Sequence, residues 1–161
     1  MQQRRGVDPD VDLHEPGQAR EWQRHRFVLP VIALGGMLGA SARHGAELLW
    51  PTAGGSVPWA TLGVNTLGCL LIGVLMVLVV EARGARPLWR PFAGVGLLGG
   101  FTTFSTYAVE TTVLLDDGHP GLAFGYWAGT LVLALAAALL GLLATRAAVG
   151  RRPWRGGDDE R

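Results

Sequence analysis

From Phe27 to Ala144 the chain is almost uninterrupted apolar sequence, and polar residues gather at its two ends and in three short gaps. A helix needs about 20 mostly apolar residues to cross a bilayer. The pattern predicts four such spans, at about 27–49, 58–80, 91–115 and 122–144. The second and fourth hold no charge. The first carries Arg43 and Glu47 near its end, and the third carries Glu110. The gaps Trp50–Val57, Glu81–Arg90 and Asp116–Gly121 are short and force neighbouring spans to run antiparallel. Residues 1–26 and 145–161 lack the apolar residues to build a core, and the pattern predicts disordered tails. The fold class expected is an all-α integral membrane protein.

Charge sharpens this reading. The protein has 161 residues with 14 basic and 13 acidic side chains, and every basic one is Arg. Eighteen of these 27 charges lie in the two tails, leaving nine for the 118 residues between. A soluble domain carries about a quarter charged residues, so a water-covered globule is excluded. The net charge of +1 and the lack of a long basic stripe count against nucleic-acid binding. A single cysteine, Cys69, excludes an intrachain disulfide framework. Its setting in an apolar run reads as a small buried hydrophobe. No nucleophile–base pair or metal-ligand set is visible, so an enzyme is not expected.

The third span is the unusual one. Gly94, Gly96, Gly99 and Gly100 precede the run Phe101-Thr-Thr-Phe-Ser-Thr-Tyr107. Each glycine weakens a helix by about 1 kcal/mol relative to alanine. Four of them before a hydroxyl run point to a break at membrane depth, where backbone is tolerated only if buried in protein or lining a polar cavity. A continuous helix whose hydroxyls bond back to their own carbonyls fits the spacing equally well. Gly94-Val-Gly-Leu-Leu-Gly99 matches G-x-G-x-x-G, but no strand–helix unit surrounds it, so a dinucleotide site is rejected. Helical spacing puts Thr103, Thr106 and Glu110 on one stripe, and Phe104 and Tyr107 one turn apart. Hydroxyls and aromatic ring edges could together replace water around a small anion. Asn65 and Thr66 are the strongly polar pair inside the second span, suited either to gluing helices or to lining a path. Arg43 either pairs with Glu47 at i, i+4 or makes an electropositive vestibule. Gly35/Gly39, Gly96/Gly100 and Gly125/Gly129 have the four-residue spacing of close helix packing, and generic packing is the expected role of the last pair.

Three segments carry a resemblance. Gly35-Gly-x-x-Gly-Ala-x-x-Arg43, Thr61-Leu-Gly-Val-Asn65-Thr-Leu-Gly68 and Gly99-Gly-Phe-Thr-Thr-Phe-Ser-Thr106 resemble the three motifs of the fluoride channel family (Fluc/CrcB). The likeness spans about residues 30–145. It implies an antiparallel dimer of four-helix subunits with a broken third helix and two passive fluoride pores that lower cytoplasmic fluoride. It implies pore roles for Asn65, Phe104, Ser105, Thr106, Tyr107, Tyr126 and Thr130, and a vestibule role for Arg43. Thr103 and Glu110 would be polar neighbours of the pore. A structural sodium ion would be held by the backbone carbonyls of Gly99 and Thr102. Two departures stand out. Tyr107 replaces the usual Phe, so its hydroxyl must find a partner or protrude into the path. The fourth span's polar track, begun by Tyr126 and Thr130, meets Ala134 and Ala138, which bears on whether both pores conduct. A four-span multidrug exporter and a non-conducting structural subunit of a paired channel are the alternatives.

The arginines also give a topology. Arg20, Arg24, Arg26, Arg83, Arg86, Arg90, Arg146, Arg151, Arg152 and Arg155 share one side, and the loops Trp50–Val57 and Asp116–Gly121 have no Arg or Lys. The positive-inside rule then predicts cytoplasmic termini in one fixed orientation in the cell membrane. The expected assembly is an antiparallel heterodimer with a paralogous subunit of opposite bias.

Overall fold

A computed structural model describes residues 27–81 and 88–149. The expected N-terminal tail, most of the C-terminal one, and Arg83 and Arg86 lie outside the described residues. The secondary structure of the described residues is all helical, in the order α1 (Val28–Leu49), α2 (Trp59–Glu81), α3, α4 (Ser105–Asp116) and α5 (Pro120–Val149). α3 runs as a π-helix over Pro91–Leu98 and tightens to a last α-turn at Gly99–Phe101. Trp59–Val79, Pro91–Asp116 and Pro120–Val149 are long and apolar enough to cross a membrane. α1 has the length, 22 residues, but Arg43, His44 and Glu47 lower its apolarity. α5 continues past Ala144 to Val149, so the first five residues of the expected tail are helix.

The ends of the helices follow local chemistry. Proline at the start of the π-helix and of α5 costs no hydrogen bond there, because the first N–H groups of a helix have no partner inside it. α4 closes in a Schellman turn. Gly118, at φ +79°, donates to the Leu115 carbonyl at 3.0 Å, and His119 donates to that of Leu114 at 2.9 Å. Pro120 follows at once, so α4 reverses into α5 through a very short link.

Small residues set the packing, as lipid offers no hydrophobic drive between helices. α1 lies against α3 through both expected pairs. A Cβ on Gly35 would stand 2.5 Å from the Phe92 carbonyl, one on Gly96 2.6 Å from that of Ile32, and one on Gly100 2.5 Å from that of Gly36. One on Gly39 would strike the Leu97 carbonyl. α2 lies against α5 through a pair the sequence spacing did not suggest: a Cβ on Gly73 would strike the Ala138 carbonyl, and one on Gly141 that of Leu70. Gly125 and Gly129 correct the reading of their spacing. A Cβ on either would meet nothing within 4 Å, because α5 turns this face away from the rest of the chain.

The break exists, and it falls just past the glycines. Thr102 is extended, at φ −80° and ψ 157°, and the chain re-enters helix at Ser105. The glycine run itself stays helical, and Gly96 and Gly100 in it serve contact with α1. α4 has 12 residues, about 18 Å of rise, so the break sits near the middle of a membrane about 30 Å thick.

Candidate functional site

The side chain of Asn65 reaches from α2 to the break and holds Thr103 from both sides. Its Nδ2 donates to the Thr103 carbonyl at 2.9 Å, and its Oδ1 accepts from the Thr103 N–H at 2.8 Å. Both atoms of one peptide-like group are thus satisfied where helix bonds are missing. Asn65 is 8% exposed, a depth at which an unpaired amide would be costly. The gluing and path-lining roles meet in this one residue, since it also faces a cavity.

The Thr103 N–H bond to Asn65 and one more explain why the helix does not close. In a continuous helix the Thr103 N–H would bond the Gly99 carbonyl, and the Thr106 N–H that of Thr102. Here Thr103 turns to Asn65, and the Thr106 N–H donates instead to Thr103 Oγ1 at 3.2 Å. Thr103 therefore caps α4 in the manner of an N-cap hydroxyl. The carbonyls of Gly99 and Thr102 are released from their helical donors. Carbonyl oxygens freed at such a break suit a hard cation such as sodium.

Around the break the sequence-expected residues divide into two groups. The first lines a cavity of about 230 Å³: Asn65, Thr102, Thr103, Phe104, Tyr107 and Thr130, together with Cys69, Leu131 and Ala134. Phe104 and Tyr107 stand as expected, with ring centroids 5.8 Å apart and planes tilted by 57°. Tyr107 is buried, whereas Phe104 is 79% exposed. Thr130 is 4% exposed, yet its hydroxyl has no partner.

The second group is a polar cluster on the side of the break toward the arginine-free loops. Arg43 Nη1 stands 3.5 Å from Glu47 Oε1 and 3.4 Å from Thr106 Oγ1. Its Nε is buried without a partner. The ion pair and the approach to the break thus coexist. Thr103 Oγ1 donates to Thr106 Oγ1 at 3.0 Å and lies 3.4 Å from Ser105 Oγ, joining the cluster to the cavity. Glu110 does not reach for the loop. Thr61 donates to its Oε1 at 2.8 Å and Tyr126 to its Oε2 at 2.7 Å. Thr106 and Glu110 stand one turn apart on α4, and the Glu110 carboxylate turns to Thr61 and Tyr126.

The Tyr126 hydroxyl is engaged by this bond, its one proton going to the carboxylate, and Tyr126 is not among the residues that line the cavity. Its ring still contributes, 5.4 Å from that of Tyr107. The Tyr107 hydroxyl finds a partner outside the path, donating to the Trp127 carbonyl of α5 at 2.7 Å. Tyr107 thus shows the cavity a ring, as Phe would. Tyr107→Phe is expected to preserve ion flux within about twofold and to lower stability by about 1 kcal/mol, the worth of one hydrogen bond. Thermal unfolding in detergent beside a flux assay checks this.

From sequence Cys69 read as a small buried hydrophobe and Thr61 only opened a motif, so neither was given a role at the site. Both lie at i ± 4 from Asn65, so the face of α2 that Asn65 marks was the available signal.

A helix broken at mid-depth, clamped by a neighbouring amide and flanked by hydroxyls and stacked rings, defines a small multi-pass membrane protein with a polar gap inside its span. A family model described as "CrcB-like protein, Camphor Resistance (CrcB)" matches residues 30–142. The chain belongs to this family. It is 57% identical over 123 residues to "Fluoride-specific ion channel FluC 2" of Nocardia farcinica, covering 76% of this chain and 88% of that protein. It is 49% identical over 125 residues to "Fluoride-specific ion channel FluC 2" of Streptomyces avermitilis, with 77% and 79% covered. The value is 50% over 125 residues for "Fluoride-specific ion channel FluC 1" of Streptomyces coelicolor, with 78% and 81% covered.

Proposed function

We propose that the chain is a subunit of a passive fluoride channel that lets fluoride leave the cytoplasm. The observation that carries this reading is the lining of the cavity at the break. It offers N–H and O–H groups and aromatic rings but no carboxylate, while Glu110 is held away by Thr61 and Tyr126. The names of the relatives agree with it.

Fluoride is small and strongly hydrated, and a bare ion in apolar surroundings would cost tens of kcal/mol. The path replaces its water piece by piece. Arg43 raises the local anion concentration. Thr106 and Ser105 offer hydroxyls at the break, with Thr103 Oγ1 holding Thr106 in place. Asn65 keeps a second Nδ2 proton beyond the one given to Thr103, and Thr130 adds an O–H with no competing partner. The ring edges of Phe104 and Tyr107 supply weak electropositive contacts. Several weak sites in series allow exit, and narrowness excludes chloride.

The exposure of Phe104 supports a second subunit as the missing wall, in an antiparallel dimer with two pores. Arginine asymmetry supports a heterodimer with a relative of opposite orientation, with the termini of this chain in the cytoplasm. A structural sodium ion at the interface would be held by the Gly99 and Thr102 carbonyls, whose helical donors are engaged elsewhere. The exporter reading needs an acid in α1 free to exchange protons for a cation. Glu47 is instead held 3.5 Å from both Arg43 and His44.

Fluoride efflux from proteoliposomes tests the reading: electrode-detected release under a gradient is expected, and its absence with any companion supplied would sink it. Phe104→Ile is expected to cut efflux about tenfold or more, the equivalent of about 1.4 kcal/mol. Unchanged efflux would remove Phe104 from the path. Replacing sodium by a bulky organic cation is expected to slow conduction or loosen the dimer, read by efflux and by size-exclusion chromatography.

A further inference from the structure

The hydrogen-bond donors around the cavity are mostly engaged. Thr102 Oγ1 donates to the Leu98 carbonyl, Thr103 Oγ1 to Thr106, Tyr107 to Trp127, and Asn65 gives one proton to Thr103. On the α5 wall, Thr130 has a free hydroxyl, but one turn further Ala134 offers only a methyl group. On the α2 wall, one turn beyond Asn65, stands the thiol of Cys69. It is free, half-buried and without a hydrogen bond among the described residues. The cavity thus has three uncommitted donors: Thr130 O–H, the second Asn65 N–H and the Cys69 S–H.

We propose that Cys69 is a path-lining residue, its thiol handing a small anion on from Asn65 and Thr130 at the level where α5 has Ala134. Two observations converge on this. Cys69 shares one cavity with Asn65 and Thr130, and Thr130, a wall residue of that cavity, is buried with its hydroxyl unpaired among the described residues. An S–H is a weak donor, and a weak site beyond two stronger ones lets an ion leave rather than stay. The inference rests on the channel reading, and it replaces the view of Cys69 as inert apolar filling.

The chain has one cysteine, so a thiol reagent reads this position alone. Methyl methanethiosulfonate transfers its methylthio group to the Cys69 sulfur as a disulfide, with methanesulfinate leaving. With the full chain in liposomes, this treatment is expected to cut fluoride efflux about tenfold and to leave Cys69→Ser unaffected. Cys69→Ser, which puts a stronger donor at the weak site, and Cys69→Val, which leaves none, are each expected to slow efflux about threefold. Efflux unchanged after complete modification overturns the proposal, as does a thiol that resists the reagent in the folded protein. A wild-type protein without efflux would defeat the channel reading instead. Labelling kinetics by mass spectrometry then decide: modification slowed by fluoride and not by chloride keeps Cys69 in an anion site, and equal rates remove it.

Discussion

Replacing Asn65 with alanine is expected to abolish fluoride efflux and to lower the stability of the folded subunit by about 2–6 kcal/mol. The size follows from what one side chain holds. Asn65 satisfies both the N–H and the carbonyl of Thr103 at the break. Truncation leaves both unpaired, at about 1–3 kcal/mol for each buried group. The Thr103 N–H would then be drawn back toward the Gly99 carbonyl, its helical partner, and the gap would tend to close into continuous helix. Asn65→Asp separates structure from conduction. It keeps an acceptor for the Thr103 N–H, loses the donor to the carbonyl, and sets a negative charge against an anion. It is expected to fold better than the alanine variant and still not conduct. Efflux alongside thermal unfolding in detergent distinguishes these outcomes. An alanine variant with wild-type stability would show that the clamp does not hold the break.

The second large effect is expected at Gly39. A Cβ there would run into the Leu97 carbonyl and stand 2.7 Å from the Phe101 nitrogen. Both obstacles are backbone, so no side chain can swing aside. Gly39→Ala must push α1 off α3, and overpacking of this kind costs about 1–3 kcal/mol or more. The displaced segment ends at Phe101, next to the extended Thr102, so the break moves with it. Loss of most folded protein and of all efflux is expected, read from yield on size-exclusion chromatography and from flux. Gly45→Ala, on the same helix with nothing within 4 Å, is the control. It is expected to be neutral or to gain up to about 1 kcal/mol of helix propensity.

The four apolar runs were legible because lipid demands a near-continuous apolar stretch. Phe104, Tyr107 and Asn65 were legible because strongly polar or paired aromatic residues inside such a run need a reason, whereas Thr130 came only from the family resemblance. The glycines were legible as a peculiarity but not as to their purpose. Composition cannot tell a helix-breaking glycine from one that admits a neighbouring backbone, and Gly96 and Gly100 proved to be the second kind. What actually breaks the helix is the long-range bond from Asn65 to Thr103, which no local pattern encodes. Tyr126 was placed correctly beside the site, but the direction of its hydroxyl depends on Glu110, 16 residues away. Cys69 and Thr61 were passed over because a thiol or a lone hydroxyl in an apolar helix has many ordinary explanations.

The length of α5 carries a last consequence. Its 30 residues rise about 45 Å, against a hydrocarbon layer of about 30 Å. So long a rod must lean, or stand proud of the lipid at the end that carries Arg146. It cannot lean alone, since Gly73 and Gly141 lock it to α2, and Tyr107 ties it to the segment after the gap. Where it leans, bilayer thickness is expected to set the tilt of α5 and, through the Tyr107 bond to Trp127, the seating of the stacked rings. Efflux compared in vesicles of short and long acyl chains checks this, and equal rates would show that α5 stands proud instead.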